Sequence, residues 1–410
     1  MTDMGAQADA GPPTGGATDV DAGAGRSTAG KTLEAWAFVR QMLDDMTGMV
    51  EADAETELEQ VEGLRVLGRA AALCSELSLD VDGESPWFFS MNTDARLIGG
   101  PNPDGEYHLA MIDGAHRYRV SGRRGTVCYL GFQVLAGTGL TPRRMAAYVS
   151  DTDLELTDGD HYEFVLAAEE PSEAELAGAP WVPIPTDASA IVVRQYIADR
   201  AHETLAELAI APLDPVGVPA LPTDDVVAEQ FTAMAWTIVK LTTLHRTIRP
   251  DLLEQPNQLA TSEAADLGAA DTTPDNLYML GTFRLADGEA LVIDVVPPDT
   301  RYWSVTLENI WHECIDVRRR RSSLTNAHAV PRPASGLGAE LGSGLGSGRG
   351  SGPDPEASRV RVVVAAADPG VPNWLDTGGR HRGFVTLRWL DNPDAPEVTT
   401  RVVPIAEVVA

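Results

Sequence analysis

Apolar residues recur every three or four positions at two places near the start of the chain. The first set is Leu33, Trp36, Val39, Leu43 and Met46, and the second is Leu58, Val61, Leu64, Leu67, Cys74 and Leu77. This spacing places the apolar side chains on one face of a helix. The sequence therefore predicts two amphipathic helices within residues 31–84, with the break between them at 48–56.

From Trp87 onward the pattern changes toward alternation of apolar and polar residues. Short segments rich in Val, Tyr and Phe are separated by turn signals; they are His108–Ile112, His116–Val120, Thr126–Val134 and His161–Ala167. Alternation with such turns is typical of antiparallel strands. We therefore expect a β-domain over residues 85–199 and, where the pattern returns, a second one over 271–410.

The segment between these two regions, 200–270, contains Pro-rich connectors and a third helical pattern. Pro222–Asp225 supplies a start signal, and apolar residues then recur at helical spacing from Val227 to Leu241. The sequence predicts one amphipathic helix in this connector.

An internal repeat appears when the sequence is laid on itself. Pro103–Tyr107 aligns with Pro274–Tyr278 at an offset of 171 residues. Later matches have larger offsets: Phe164–Pro171 with Val362–Pro369 at 198, and Trp181 with Trp374 and Tyr196 with Trp389 at 193. A Gly/Ser-rich stretch at 334–357 has about the length needed to explain the increase. The second copy is therefore expected to carry a flexible insert.

The predicted fold class is mainly β with helical additions (α+β). Two tandem jelly-roll-like β-sandwich domains are related by the repeat, and the helices are expected to cover sheet edges. Residues 1–30 are mostly Gly, Ala, Asp, Thr and Pro, which cannot bury enough apolar surface to order a chain. We expect a disordered tail there.

Composition narrows the classes of partner. The chain has 410 residues with a net charge of −30, 43% hydrophobic and 22% charged residues. Such an acidic surface repels phosphate backbones and anionic lipids, so neither nucleic acid nor a membrane is expected as a partner. Three cysteines without paired spacing and the lack of an apolar leader favour a cytoplasmic location. A homo-oligomer remains open.

One stretch matches a phosphate-binding loop by its letters. Gly25–Thr32 satisfies the pattern GxxxxGK[ST]. That loop requires a buried strand before it, and residues 11–23 offer Pro, Gly, Thr, Ala and Asp instead. We therefore do not expect nucleotide binding.

Metal and cofactor signals are weak. None of the eight histidines pairs with another at the spacing of a metal-binding strand, and His312–Asp316 resembles a zinc helix only at its start, since Asp stands where the second His would be. A GxSxG nucleophile turn is also absent. No metal and no cofactor are expected.

Polar and aromatic residues concentrate in the second repeat, as in pockets for sugars or small anions. The candidate catalytic residues are His312 as proton shuttle and Glu313 and Asp376 as acid or base. The candidate ligand-binding residues are Asp275, Asn276, Tyr278, Trp311, Arg318, Asn373 and Trp374. A structural interpretation stays open for each residue, because Trp and Tyr also fill cores and Asp-Asn and Asn-Trp also form turns.

These same segments resemble a known family. Pro274–Tyr278, Arg301–Leu307, Ser323–Asn326 and Asp368–Leu375 look like the bacterial domain of unknown function numbered 1214, which is abundant in actinobacteria. The resemblance covers about residues 270–392, and 102–196 is similar to the N-terminal half of its longer members. It implies jelly-roll-like β-domains without a settled activity. The first repeat has Pro180 where the second has Asn373, so any site that needs this Asn exists only in the second copy.

Two hypotheses for function follow. In the first, the second β-domain binds or acts on a small polar molecule, for example a carbohydrate-like one. In the second, the tandem sandwiches are a structural or assembly protein without chemistry. Convergence of His312, Glu313 and Asp376 on one cleft would favour the first hypothesis, and a broad apolar patch would favour the second.

Overall fold

The computed structural model describes residues 29–79, 81–137, 143–218, 220–263, 267, 272–332, 359–391 and 394–408. The predicted tail, apart from its last two residues, and the predicted insert at 334–357 lie outside these ranges. The helices are α1 (Gly30–Asp53), α2 (Glu57–Leu79), α3 (Glu173–Leu176), α4 (Asp224–Thr242), α5 (Leu244–Thr247) and α6 (Asp251–Glu254). None of the described helices is long and apolar enough to span a bilayer.

Eighteen described strands divide equally between two halves of the chain. The first half has β1 (Phe89–Ser90), β2 (Gly105–Met111), β3 (Tyr118–Arg123), β4 (Tyr129–Ala136), β5 (Arg144–Ser150), β6 (His161–Ala167), β7 (Trp181–Pro183), β8 (Ala188–Tyr196) and β9 (Ala209–Pro212). The second half has β10 (Leu259–Ser262), β11 (Asn276–Arg284), β12 (Glu289–Val295), β13 (Trp303–Glu308), β14 (Ser323–Thr325), β15 (Val360–Ala365), β16 (Trp374–Asp376), β17 (Arg382–Leu390) and β18 (Val398–Pro404).

The two halves repeat one arrangement of sheets. In the first half the orders are β1-β2-β8-β4-β5 and β7-β6-β3-β9, and in the second they are β10-β11-β17-β13-β14 and β16-β15-β12-β18. Adding nine to each strand number of the first half gives the second. The protein is therefore mainly β, with four sheets forming two β-sandwich-like halves and helices at the N-terminus, as the sequence predicted at that level.

Strand register refines the repeat. Trp181 and Trp374 occupy equivalent positions, because they pair in parallel with the matched residues Val165 and Val363. Tyr196, however, corresponds to Leu390 and not to Trp389: Tyr196 pairs with Gly105, and Leu390 pairs with Asn276, at the offset of 171. The match of Tyr196 with Trp389 was therefore off by one residue, because shared aromatic character does not fix register.

Two boundaries differ from those expected from sequence. Residues 48–53 continue α1, so the break before α2 is only 54–56. Two short strands, β9 and β10, lie inside the segment 200–270 that was assigned to the connector, while α4 appears as expected with Thr223 as its N-cap. Both strands have only four residues and lie at sheet edges, so their alternation is too short to be seen.

Each half buries an apolar core between its five-stranded and four-stranded sheets. Alternate residues of β4, β6 and β8 meet in the first half, where Phe132 and Phe164 pack edge to face with ring centroids 5.1 Å apart. In the second half Phe283, Trp303 and Trp389 are among the buried residues. These cores use one face of each five-stranded sheet and leave the other face for contacts outside the sandwich.

Helices α1 and α2 cover part of that other face in the second half. Trp311 is buried among apolar residues of both helices, and its indole N–H donates to the Glu59 carbonyl at 2.8 Å. Gly63 of α2 allows this close approach, because a Cβ there would lie 2.8 Å from Trp311 Cε2 and 2.6 Å from Val50 Cγ1. The contact fixes the helices against the second sandwich.

The substitution Gly63→Ala tests this packing. We expect it to lower the free energy of unfolding by about 1–3 kcal/mol, because the added methyl group overpacks the contact with Trp311. Gly68→Ala on the same helix is the matched control, since a Cβ there meets nothing within 4 Å. The control should gain about 0.5–1 kcal/mol from helix propensity. Urea unfolding followed by circular dichroism measures both, and equal effects of the two substitutions would contradict the packing described.

Candidate ligand site at His312

The remaining faces of the two five-stranded sheets meet each other, and the contact is polar. We call it the polar interface; its residues are Asp104, Tyr107, Tyr148, Arg194 and Tyr196 from the first half and Asp275, Tyr278, Tyr302, Ser323 and Arg388 from the second. The Tyr196 ring stacks between those of Tyr129 and Tyr302, with centroid separations of 5.0 and 5.2 Å. Sheet faces that would be solvated in an isolated sandwich are thus buried here.

Equivalent residues cross this interface in both directions. The Tyr148 hydroxyl of β5 donates to Asp275 of the second half, and the Ser323 hydroxyl of β14 donates to Asp104 of the first. Register makes Tyr148 equivalent to Ser323, and Asp104 is equivalent to Asp275 at the offset of 171. The two halves therefore meet around an approximate twofold axis. Burial raises the pKa of Asp104 and that of Asp275 above the ordinary value.

Arg388 lies at the centre of this contact. Its side chain comes from β17 and is only 3% exposed. It donates to the Gly100 carbonyl at 2.9 Å and to the Thr306 hydroxyl at 3.3 Å, and it lies over the Tyr278 ring, 6.0 Å from the centroid. A buried guanidinium group needs such partners, because they compensate for the hydrogen bonds to water that it loses on burial. The guanidinium group thus joins a loop of the first half to strands of the second.

Tyr278 and Asn276, both predicted ligand residues, contact this centre. The Tyr278 hydroxyl accepts from the Thr273 amide and from Asn276 Nδ2, each at 3.2 Å, and Asn276 Nδ2 also donates to the Tyr196 hydroxyl at 2.9 Å. Burial alone would raise the pKa of Tyr278, but the positive charge of Arg388 and these hydrogen bonds hold that pKa below its usual value.

Glu308 and His312 form a buried pair beside Arg388. His312 Nδ1 lies 2.8 Å from Glu308 Oε2, and Arg388 Nη2 lies 3.8 Å from Glu308 Oε1. Glu308 is 1% exposed and His312 3%. Burial would raise the pKa of Glu308, but the hydrogen bond from His312 and the charge of Arg388 hold it below the ordinary value. An ionised carboxylate only accepts hydrogen bonds, so Nδ1 carries a proton.

The loop after β13 holds His312 in an uncommon backbone conformation. Its φ is +56°, in the left-handed region that few residues other than Gly adopt. Asn309 holds the turn, because its Oδ1 accepts from the amides of Trp311 at 3.0 Å and Glu313 at 3.1 Å. The His312 carbonyl accepts from the Gly100 amide at 2.9 Å. Such strain is characteristic of functional sites.

The second ring nitrogen of His312, Nε2, is buried and has no hydrogen-bond partner. The ring stacks on Phe384 with centroids 3.9 Å apart. Two other buried polar atoms of the interface region also lack partners, Asn276 Oδ1 and Gln133 Nε2. Buried polar atoms are seldom left unpaired, and a bound molecule or ordered water is a usual partner. A histidine held by a carboxylate at Nδ1 can accept a proton at Nε2.

A second carboxylate and histidine pair lies close by. His245 Nε2 of α5 is 2.7 Å from Asp53 Oδ2 at the end of α1, and His245 Nδ1 is buried without a partner. The His245 ring meets the Trp311 ring edge-on at a centroid distance of 4.8 Å. Burial lowers the pKa of His245 and outweighs the hydrogen bond and charge of Asp53, which raise it. The helical region thus adds a second buried imidazole, which is held neutral.

The other two candidate catalytic residues have different partners. Glu313, 2% exposed, faces α2, where Arg65 Nη2 lies at 2.8 Å and Arg69 also contacts it. Asp376 accepts from Arg320 Nη1 at 2.7 Å and from the Gly378 amide at 2.6 Å. Among the described residues no hydrogen bond or ion pair joins any two of His312, Glu313 and Asp376, so a cleft that they share stays a prediction.

The remaining predicted ligand residues make structural contacts. Asn373 Nδ2 donates to the carbonyls of Val330 and Arg361 at 2.8 and 3.0 Å. Trp374 donates to the Ala365 carbonyl at 3.0 Å, as its equivalent Trp181 does to Ala167 at 3.1 Å. The groove beside Asn373 has about 60 Å³, which is room for a few waters. A ligand role for these two residues stays a prediction.

Arg318 and Trp311 complete the predicted set. Arg318 is a surface residue whose Nε lies 3.8 Å from Asp316, and Trp311 packs under α2 as described above. Within the described residues no group of three or more His, Cys, Asp or Glu side chains is placed to hold a metal ion.

The lysine of the phosphate-loop match has a different role. Lys31 and Thr32 begin α1, the Lys31 ammonium pairs with Asp225, and the Thr32 amide donates to Asp224 at 2.9 Å. Residues 25–28 of the match lie outside the described residues. These contacts connect the N-terminal ends of α1 and α4.

Sequence reasoning missed Glu308, Arg388 and His245. A signal existed for the first two, because Glu308 is the one charged residue of Trp303–Glu308 and Arg388 is the one charged residue inside Arg382–Leu390 after its first position. A charge at a buried strand position demands a partner. His245 lies among polar residues after α4 and offers no comparable pattern.

A comparison with solved structures gives a match along almost the whole chain. An uncharacterised protein from Burkholderia cenocepacia aligns with a TM-score of 0.81 at 29% identity, over 93% of this chain and 100% of that one. A Vibrio parahaemolyticus protein aligns with a TM-score of 0.47 at 12% identity, over 82% of this chain and 97% of that one. No protein-family model and no curated protein matches the chain. The Burkholderia protein shares this fold, and because it is itself uncharacterised, the match indicates no activity.

The neutral state of His245 predicts a pH dependence of stability. The unfolded chain takes up a proton at this histidine near pH 6.5, and the folded protein, whose His245 pKa is lowered, does so only at lower pH. Stability from neutral His245 is therefore present above about pH 6.5 and is lost as pH falls toward 5. We therefore expect the difference in unfolding free energy between the wild type and His245→Gln to become smaller as pH falls over this range.

Urea unfolding at pH 7.5, 6.5, 5.5 and 5.0 measures this difference. His202→Gln is the control, because the His202 side chain is 81% exposed. An excess over His245→Gln that stays constant or grows toward pH 5 would contradict the burial of a neutral His245.

Proposed function

We propose that the protein binds a small polar molecule at His312, in the second half of the chain. The observation that carries this proposal is the unpartnered Nε2 of a side chain that is 3% exposed and is held at Nδ1 by Glu308. A ligand that donates a hydrogen bond would complete this arrangement. In a neutral His312 that carries its proton on Nδ1, Nε2 would be an acceptor and would act as a base toward a ligand that can give up a proton.

The neighbouring groups support a polar ligand. Arg388 supplies a positive charge next to Glu308, which suits a ligand with hydroxyl, amide or carboxylate groups. The carbohydrate-like ligand considered from sequence belongs to this class.

One site per chain is expected. Gly131 pairs with Arg194 in the first half as Ser304 pairs with Arg388 in the second, so Gly131 and Ser304 are equivalent. Four residues further along these two strands, Leu135 is the equivalent of Glu308. Leu135 packs in an apolar cluster with Leu109 and Val192. The first half therefore lacks the carboxylate that would hold a histidine.

We also propose a topology for the sandwiches and a family for the chain. The strand orders 2-8-4-5 and 9-3-6 within the first half support a jelly-roll-like topology. The resemblance to the domain of unknown function numbered 1214 supports membership of that family.

An assembly role is a second candidate, favoured by apolar side chains exposed on the helices. Leu33 and Trp36 of α1 are 61% and 42% exposed, and Val226 and Trp236 of α4 are 49% and 45% exposed. Exposed apolar side chains on neighbouring helices suit contacts between copies of the chain. Sedimentation of the purified protein distinguishes a monomer from an oligomer.

A thermal-shift screen tests the ligand proposal. Wild-type protein and His312→Gln are melted with sugars, sugar phosphates, nucleotides, acyl compounds and divalent metals. A ligand at one hundred times its Kd should stabilise the wild type by about 2.7 kcal/mol. His312→Gln should lose most of this gain, because it removes the acceptor at Nε2.

His381→Gln is the matched control, since His381 is an exposed histidine of the same half. It should keep the whole stabilisation. Stabilisation of the wild type and His312→Gln to the same extent would contradict a site at His312, and the absence of any stabilising class would favour assembly.

A further inference from the structure

Arginines and carboxylates alternate along one surface of the second half, between α2 and the loops next to β14 and β16. We call this surface the arginine array; it consists of Arg65, Arg69, Arg318, Arg320 and Arg380 with Glu62, Glu313 and Asp376. Two of the carboxylates connect neighbouring arginines: Glu313 contacts Arg65 and Arg69, and Glu62 contacts Arg65 and Arg380. Counted with Arg319 and Asp316, which pair with each other beside Arg318, six positive and four negative side chains meet in a protein whose net charge is −30.

A glycine lets two of these guanidinium groups converge. Gly378 has φ +64°, and a Cβ there would lie 2.5 Å from Arg380 Nη1 and 2.9 Å from Arg320 Nε. Two positive charges are thus held within 3 Å of the same point above the backbone. Their mutual repulsion is offset in part by carboxylates, because Glu62 pairs with Arg380 and Asp376 with Arg320.

The carboxylates of the array occupy only part of the donor capacity. Arg65 uses Nη2, Arg69 uses Nη1 and Arg320 uses Nη1 for their carboxylate contacts. Their other guanidinium nitrogens have no hydrogen-bond partner among the described residues, and the side chains of Arg65 and Arg320 are 51% and 43% exposed. The array therefore presents fixed N–H donors to the solvent.

Crowding is strongest at Arg69. Burial lowers the pKa of Arg69, and the nearby charges of Arg65 and Arg318 lower it further. Glu313, which holds Arg65 and Arg69 in place, is 2% exposed and cannot turn away to neutralise other groups. An added negative charge would relieve the repulsion among the three arginines.

We propose that the arginine array binds an oxyanion, the phosphate or carboxylate group of a small molecule. Guanidinium groups recognise both oxyanions through paired N–H donors. The array is also a local concentration of positive charge on an acidic protein, and positive charge attracts anions. The proposal stands apart from the ligand site at His312, because no hydrogen bond or ion pair joins the array to Glu308 or His312.

Titration with inorganic phosphate and, separately, with malonate tests the proposal at constant ionic strength. Melting temperature follows both anions, and the ³¹P line width follows phosphate. We expect saturable binding of at least one anion by the wild type. The double substitution Arg65→Gln/Arg320→Gln should weaken it about tenfold or more, because two charge-assisted contacts are lost.

Arg318→Gln is the second variant, since Arg318 makes only a 3.8 Å contact with Asp316 and its removal leaves the helices in place. It should weaken binding by a smaller factor. Arg144→Gln is the matched control, because Arg144 is an exposed arginine of the first half paired with Asp187. Absence of saturable binding, unchanged affinity in both array variants, or an equal loss in Arg144→Gln would overturn the proposal. Phosphate binding without malonate binding would assign the array to phosphate groups, and the reverse to carboxylates.

Discussion

A guanidinium group that is almost fully removed from water must find its hydrogen bonds inside the protein, and Arg388 finds them in both halves of the chain. Its partners are the Gly100 carbonyl of the first half and Thr306 and Glu308 of the second. Breaking such a buried contact leaves a charge without compensation, which costs several kcal/mol (about 3–5). The polar interface therefore specifies how the two sandwiches are placed, although neither apolar core extends across it.

The candidate site follows from this constraint. Glu308 lies beside Arg388 with a lowered pKa, so it accepts a hydrogen bond from His312 Nδ1, and Nε2 is the ring nitrogen left for a ligand. The turn made by Asn309 and the amide of Gly100 hold the strained His312 backbone in place. Residues that order the interface thus also prepare the imidazole, and the function proposed for the protein depends on the same contacts as its architecture.

Local patterns predicted the parts of this fold better than their assembly. Helical spacing from Leu33 and from Val227 predicted α1 and α4, and the match of Trp181 with Trp374 revealed the repeat before any strand was placed. His312, Tyr278 and Asn276 were found because polar residues stood out in apolar surroundings. Their common partner was not found, since the contact of Arg388 with Gly100 spans 288 residues and a single sequence does not encode which sheet faces meet. Of the array only Arg318 was predicted as a ligand residue, because Arg65 and Arg320 lie on different elements, and α2 brings them together only after folding.

The protonation state of His312 tests the central claim most directly. Nitrogen-15 spectra of histidine-labelled protein at pH 7, with His312→Gln used to assign the signal, report which ring nitrogen carries the proton. The contact with Glu308 requires a proton on Nδ1, and the proposed site requires none on Nε2, so we predict this neutral form. A proton on Nε2 alone would contradict the pairing with Glu308, and protons on both nitrogens would contradict an acceptor at Nε2 and, with it, the site proposed at His312.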